Sequence, residues 1–514
     1  MPQKTDPNRR RFLATAAGGI AALQLPAGAQ SMTPFEHEEA TVESLAARMA
    51  SGETRAAALA TAYLDRIARI DRAGPTLRAV IELNPDALAI AEERDRERKA
   101  GRVRGPLHGI PLLVKDNIAT GDRMSTTAGS LGLDGVRAPH DAPLVARLRE
   151  AGAVILGKTN LSEWANFRSS NSVSGWSSRG GQTRNPYALD RSPSGSSSGS
   201  AVAVAANLCA AAIGTETDGS ITSPAACNNL VGLKPTLGLV SGEGIVPIAH
   251  SQDTAGPMAR TVADCARLMN ALSQDSIDFT QHLGLASLKG VRIGVGRQYF
   301  GTNEKADAVI EEALQVLKTL GATLVDVELP SFGKLDEPEF EVLLYEFKSD
   351  LAAFFRKHMP DAPFKGLADV IEYNARNSER TMPLFGQDLL VKAQAKGALT
   401  SKAYVAAREK CRRLARAQGI DAVVKKHRVQ AIAALTSPPA WLVDPINGDL
   451  ARGGCTSMAA VAGYPHVTVP AGFAAGLPVG LSFFGPARSD ARLLGLASVF
   501  ERASNHRRPP PLAA

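Results

Sequence analysis

Gly214-Thr215-Glu216-Thr217-Asp218-Gly219-Ser220 follows the apolar run Ala210-Ala211-Ala212-Ile213 and leads into Ser223-Pro224-Ala225-Ala226, a helix start with proline in its first turn. A short apolar strand, a hydroxyl-bearing glycine turn and a helix in immediate succession form the joint of an α/β layer structure. Successive backbone N–H groups in such a turn can cradle an oxyanion. The same alternation recurs upstream. Ala79-Val80-Ile81, Ile110 to Val114 and Val154-Ile155-Leu156 read as strands between helical patterns such as Ala142 to Glu150. Leu45, Met49, Ala57, Leu59, Tyr63 and Ile67 recur at helical spacing, which predicts helices laid on a core. Asn84 and Pro85 are expected to open, and Gly101 to close, a charged helix holding Glu92 to Lys99. Residues 340–430 read as mostly helical.

The composition sets limits on function. With 514 residues, 44% of them hydrophobic and 21% charged, the chain can bury a large core without disulfide staples. Of the formal net charge of +7, Lys4, Arg9, Arg10 and Arg11 against Asp6 supply +3, which leaves +4 for everything after residue 29. So weak a field, with no basic patch interleaved with aromatics, excludes nucleic acid as a partner. Cys209, Cys227, Cys265, Cys411 and Cys455 are odd in number and form no CxxC, so they are expected as buried free thiols. No internal repeat or linker divides residues 30–514, which are expected to form one domain. No segment is long and apolar enough to predict a stable membrane span.

Several familiar patterns lack the context they need. Gly195-Ser196-Ser197-Ser198-Gly199 has the form of a nucleophile elbow centred on Ser197, but it follows Arg191-Ser192-Pro193, a poor strand. Ser331-Phe332-Gly333-Lys334 lies just after an expected strand ending at Leu329, where an S-x-x-K motif should open a helix. The histidines show no HExxH or paired metal spacing, and Gly294-Val295-Gly296 lacks a third glycine, so neither a metal nor a nucleotide cofactor is expected. Lys115 differs from these. It ends the apolar run Ile110 to Val114, where burial would depress its pKa and could make it a base; alone, such a lysine is more often a snorkelling surface residue. Periodicity disappears between Ser162 and Ser200 into Ser, Gly, Asn and Arg, a length of loop that is usually functional or disordered.

Taken together, the segment ending in Lys115, the Ser194 to Ser200 loop and the Gly214 to Ser220 turn resemble the amidase signature family of serine hydrolases. Gly157-Lys158-Thr159-Asn160-Leu161, Thr183-Arg184-Asn185-Pro186, Gly232-Leu233-Lys234-Pro235-Thr236, Asp253 to Arg260 and Gly476 to Leu481 extend the resemblance over nearly the whole of residues 30–514. It implies the amidase signature fold, a central mixed β-sheet surrounded by helices. It also implies Ser220 as nucleophile, Ser196 as the bridging serine beside a cis peptide, Lys115 as base, and the N–H groups of Thr217, Asp218, Gly219 and Ser220 as oxyanion hole, with no cofactor. Ser194, Ser198, Glu216, Asp218 and Thr222 depart from the commonest family residues.

The segments Ser162 to Arg168, Gly180 to Tyr187 and Gly-Thr-Glu-Thr-Asp-Gly-Ser resemble the peptide amidase branch of that family, which implies action on the C-terminal carboxamide of peptides. The polar loop from Glu163 to Arg191, with Trp164, Asn166 and Trp176, is then expected to carry the peptide. An amidase of small aryl or aliphatic amides and a catalytically silent binding protein on the same scaffold are the alternatives. The subunit that feeds ammonia to misacylated tRNA is similar too. Against it, Asn8-Arg9-Arg10-Arg11-Phe12-Leu13, the apolar Ala14 to Leu25 and Ala27-Gly28-Ala29 resemble a twin-arginine export signal. That implies the twin-arginine machinery as partner of the precursor and a periplasmic or secreted mature protein.

Overall fold

The computed structural model describes residues 35–450 and 453–512; the twin-arginine stretch of residues 1–29 lies outside them. The strands are β1 (Val80–Leu83), β2 (Pro111–Lys115), β3 (Val154–Thr159), β4 (Trp176–Ser177), β5 (Gly181–Gln182), β6 (Ala211–Glu216) and β7 (Val231–Lys234), then β8 (Thr254–Ala259), β9 (Arg292–Gly296), β10 (Thr323–Val327), β11 (Ala431–Leu435), β12 (His466–Ala474) and β13 (Leu477–Phe484). Eleven of them form one sheet in the order β1-β3-β2-β6-β8-β7-β12-β13-β11-β9-β10, and β4 and β5 make a separate two-stranded ribbon. β2 runs parallel to β3 and β6, and β9 parallel to β10 and β11; the remaining pairings are antiparallel. This is the expected mixed sheet surrounded by helices. Residues 36–513 form one compact unit.

Every residue of β2, β3, β6, β7 and β8 is buried, so these strands are covered on both faces; their sequences are mostly apolar, with Lys115, Lys158-Thr159, Thr215-Glu216 and Lys234 at the C-terminal ends of β2, β3, β6 and β7. Thr41 caps the helix Val42–Ala50 through a hydrogen bond from the Ser44 N–H, and Ala56–Arg66 follows as the second expected surface helix. The charged helix starts at Ala87, not at Pro85. Asn84 Oδ1 accepts the Asp86 N–H at 2.9 Å and the Asn84 carbonyl that of Ala87, and this turn delays the helix; Gly101, at φ +75°, ends it as expected.

Between Ser162 and Ser200 the chain is irregular yet well packed. Glu163–Asn166 form a 3-10 turn, β4 and β5 make their ribbon, and a helix already begins at Ser198. Polar side chains satisfy one another inside the protein: Glu163 and Arg168, both fully buried, pair at 2.8 Å, and Arg168 also donates to the carbonyls of Phe385 and Gly386. Removing one partner of such a pair strands the other in a medium of low dielectric. Arg168→Met is therefore expected to cost about 3–5 kcal/mol, read as a lower denaturation midpoint; an unchanged midpoint would show that the loop does not depend on this pair.

The five cysteines are buried and free, as expected. Among the described residues, no helix is long and apolar enough to cross a membrane.

Candidate active site

Lys115 is the last residue of β2, and the register that sets Val114 opposite Ile213 brings it alongside the end of β6. Its side chain is fully buried, and Nζ lies 2.8 Å from Ser196 Oγ, 2.9 Å from Thr215 Oγ1 and 3.3 Å from the Thr215 carbonyl. Burial pulls its pKa down to about 7, against the opposing pull of the Asp253 and Glu216 carboxylates. A neutral amine has two N–H bonds and one lone pair. The Thr215 carbonyl can only accept, and if Thr215 Oγ1 takes the second N–H, the lone pair faces the Ser196 hydroxyl.

Ser196 follows a cis peptide to Gly195 and lies just before the helix Ser198–Ala205, which packs on β2, β3 and β6. There is no room for a side chain at Gly195, where an added Cβ would meet Ser162 Oγ at 2.3 Å. The next residue, Ser197, is spent structurally. Its Oγ donates to the Thr215 carbonyl at 2.9 Å and accepts the Thr215 N–H at 3.1 Å, so the hydroxyl at the centre of the elbow-like motif is a clamp on β6. The Ser197 N–H donates to the Ser220 carbonyl at 3.1 Å, tying the bridging-serine loop to the turn that carries Ser220.

That turn joins β6 to the short helix Thr222–Cys227. Glu216 Oε2 accepts the N–H groups of Ile221 and Thr222 at 2.8 and 2.9 Å and the Thr222 hydroxyl at 3.1 Å, so two of the residues that depart from the family pattern serve each other. Gly219 sits at φ +75°, a conformation that favours glycine. Among the described residues, none accepts a hydrogen bond from the backbone N–H of Asp218, Gly219 or Ser220. Asp218 points to Ser457, whose Oγ donates to it at 2.6 Å, and burial raises its pKa to about 6.

Two residues of this neighbourhood had no role in the sequence reading. Thr217 Oγ1 donates to Asp253 Oδ1 at 2.6 Å, and Asp253 Oδ2 accepts the N–H groups of Ile248 and Ala249. Burial raises the pKa of Asp253 to about 7. The adjacent Gln252 donates to the Thr217 carbonyl at 3.2 Å. Asp253 had a visible signal in the Asp-Thr-Ala-Gly-Pro run; Gln252 had none. Asp253 also lines a cavity of about 440 Å³ bounded by residues 237–250 and the helix Asp336–His358.

The three residues expected to hold a peptide are placed differently from the expectation. Trp164 is 1% exposed, and Trp176 packs edge to face on Phe385 at 5.1 Å with the Arg168 guanidinium over its ring. Asn166 Oδ1 is taken by the Ser172 hydroxyl at 2.9 Å. They pack and pin the loop, because its polar groups bond inward and draw the rings with them. His250, Glu346 and Asp350 come together in space as possible metal ligands that sequence spacing did not reveal. They already have protein partners: His250 Nδ1 lies 2.8 Å from Asp350, and Glu346 accepts from the Ser251 N–H and the Tyr404 hydroxyl.

The chain is similar to known proteins over most of its length. The amidase family model matches residues 58–494. The chain is 53% identical to the native peptide amidase from Stenotrophomonas maltophilia, whose crystal structure superposes with a TM-score of 0.89 and covers 94% of this chain and 100% of that one. It is 40% identical over 506 residues to a probable amidase of Arabidopsis thaliana, with 93% of each chain covered. It is 36% identical to an amidase family protein from Bacillus anthracis, whose crystal structure superposes with a TM-score of 0.84 and covers 92% of each chain.

Proposed function

The chain belongs to the amidase signature family, and on that premise we propose that it is a serine amidase that releases ammonia from the C-terminal carboxamide of peptides. The observation that carries the chemistry is the 2.8 Å contact of a buried, near-neutral Lys115 with Ser196. Ser220 Oγ attacks the amide carbon and gives its proton to Ser196 as Ser196 passes its own to Lys115 Nζ. The oxyanion that forms is met by the N–H groups of the Thr217 to Ser220 turn. Collapse of the tetrahedral species returns the proton to the departing nitrogen, so ammonia leaves and an acyl ester remains on Ser220. Water then adds through the same relay, releasing the peptide acid and restoring the hydroxyl.

Support for the substrate class comes from the likeness to the Stenotrophomonas peptide amidase over the full length of that protein. We further propose that residues 1–29 direct export through the twin-arginine machinery, on the strength of Arg9-Arg10-Arg11 and the Ala27-Gly28-Ala29 cleavage pattern.

The substrate reading predicts strict regioselectivity. A peptide carrying internal Asn and Gln and ending in a carboxamide should lose only the terminal amide, since this reading requires the reacting carbonyl to be positioned from the peptide side with room only for ammonia on the other. Tandem mass spectrometry of the product locates the change. Cleavage of internal bonds, or preference for benzamide-like amides over every peptide amide tested, would overturn the peptide reading and favour the small-amide alternative.

A further inference from the structure

The carbonyl of Thr217 and the N–H of Asp218 belong to one planar trans peptide and point in opposite directions. Whatever holds the carbonyl therefore aims the N–H. Gln252 Nε2 donates to that carbonyl at 3.2 Å and to Glu339 Oε1 at 2.7 Å. A carbonyl has nothing to donate, so the amide nitrogen of Gln252 must face it. Gln252 and Glu339 are both buried, and Glu339 comes from the first turn of the helix Asp336–His358. The neighbouring Asp253 grips the Thr217 hydroxyl. Thr217 is thus held at carbonyl and side chain by consecutive residues that lead into β8, where Thr254 pairs with Glu216.

From this geometry we infer that Gln252, anchored by Glu339, is a positioning residue that turns the Asp218 N–H toward the oxyanion of the reacting amide. The inference rests on the proposed serine-amidase reading. Gln252 never touches substrate; it acts through the peptide plane between Thr217 and Asp218. Burial, with the nearby Asp218 carboxylate, holds the Glu339 carboxyl well above the usual range, which favours its neutral form. A neutral acceptor is also what an amide side chain offers.

The test compares ligands that do and do not carry the oxyanion. A peptide aldehyde adds to the Ser220 hydroxyl, its carbonyl oxygen becoming the hemiacetal oxygen in the oxyanion position, whereas the peptide acid remains trigonal. In Gln252→Met, which keeps the length but loses the donor, kcat should fall on the order of ten- to a hundredfold with KM little changed. Aldehyde affinity should fall by the same factor while peptide-acid affinity holds. Glu339→Gln, which preserves an acceptor, should retain most activity, and Glu339→Leu should reproduce the aldehyde-selective loss even if Gln252→Met folds poorly. Equal losses for aldehyde and acid, or wild-type kcat in Gln252→Met, overturn the inference. A wild-type protein that neither hydrolyses amides nor binds the aldehyde overturns the amidase reading and the inference with it; active wild type with indifferent variants overturns the inference alone.

Discussion

Ser220→Ala is expected to release no ammonia above background from any amide, a loss of roughly a millionfold in kcat, the scale on which serine hydrolases respond to loss of the nucleophile. Ser197 Oγ, the hydroxyl at the centre of the elbow-like motif, is bonded in both directions to Thr215 and so does not replace it. The variant should therefore also fail to accumulate a covalent acyl adduct from an activated ester or a slow amide, conditions under which the wild-type protein gains the mass of the acyl group. Intact-protein mass spectrometry reads this directly. An adduct on the variant would move the nucleophile to another residue.

Lys115→Ala should cost several orders of magnitude, and the wild-type pH profile should show why. The base works only when neutral, and its pKa is drawn down to about 7. So kcat/KM should be lost as pH falls below that value, by about tenfold per unit, and level off above it. Lys115→Arg should not rescue, since a guanidinium stays charged at every accessible pH. Ser196→Ala should be comparably damaged, and the Lys115→Ala/Ser196→Ala double variant little worse than the worse single one, because members of a relay act as a unit. Additive losses, or a profile flat from pH 5 to 9 in the wild type, would remove lysine from the role of base.

Lys115, Ser196 and Ser220 are legible through the family resemblance, since Lys115 alone reads more often as a snorkelling surface residue; the structure buries it beside Ser196. An apolar run buries the lysine, glycine at 195 lets the chain turn, and Gly219 permits the conformation before the serine. Gln252 and Glu339 are not readable in that way; each is an ordinary polar residue whose meaning comes from a partner distant along the chain. The Ser162 to Ser200 stretch misleads for a physical reason. Its composition suits water, but its hydroxyls and charges bond inward, so Trp164 and Trp176, which read as a floor for ligand, serve as packing. β12 is hidden by Pro470, a residue out of place in a central strand; a register shift between Pro470 and Gly472 accommodates it.

The seam of the sheet has its own consequence. β7, ending at Lys234, pairs with β8 on one side and on the other with β12, where His466 lies opposite Lys234, and Ser457 from the same late region donates to Asp218 in the turn before Ser220. As the nascent chain leaves the ribosome, the strands up to β8 can assemble early but leave β7 as an open, apolar edge until the last tenth or so of the polypeptide has been made. An unpaired edge of that kind invites association with other chains, and pairings so remote in sequence form slowly. A fragment ending before β12 is therefore expected to leave β7 without its second neighbour and to release no ammonia, which an activity assay of a chain truncated at residue 465 checks.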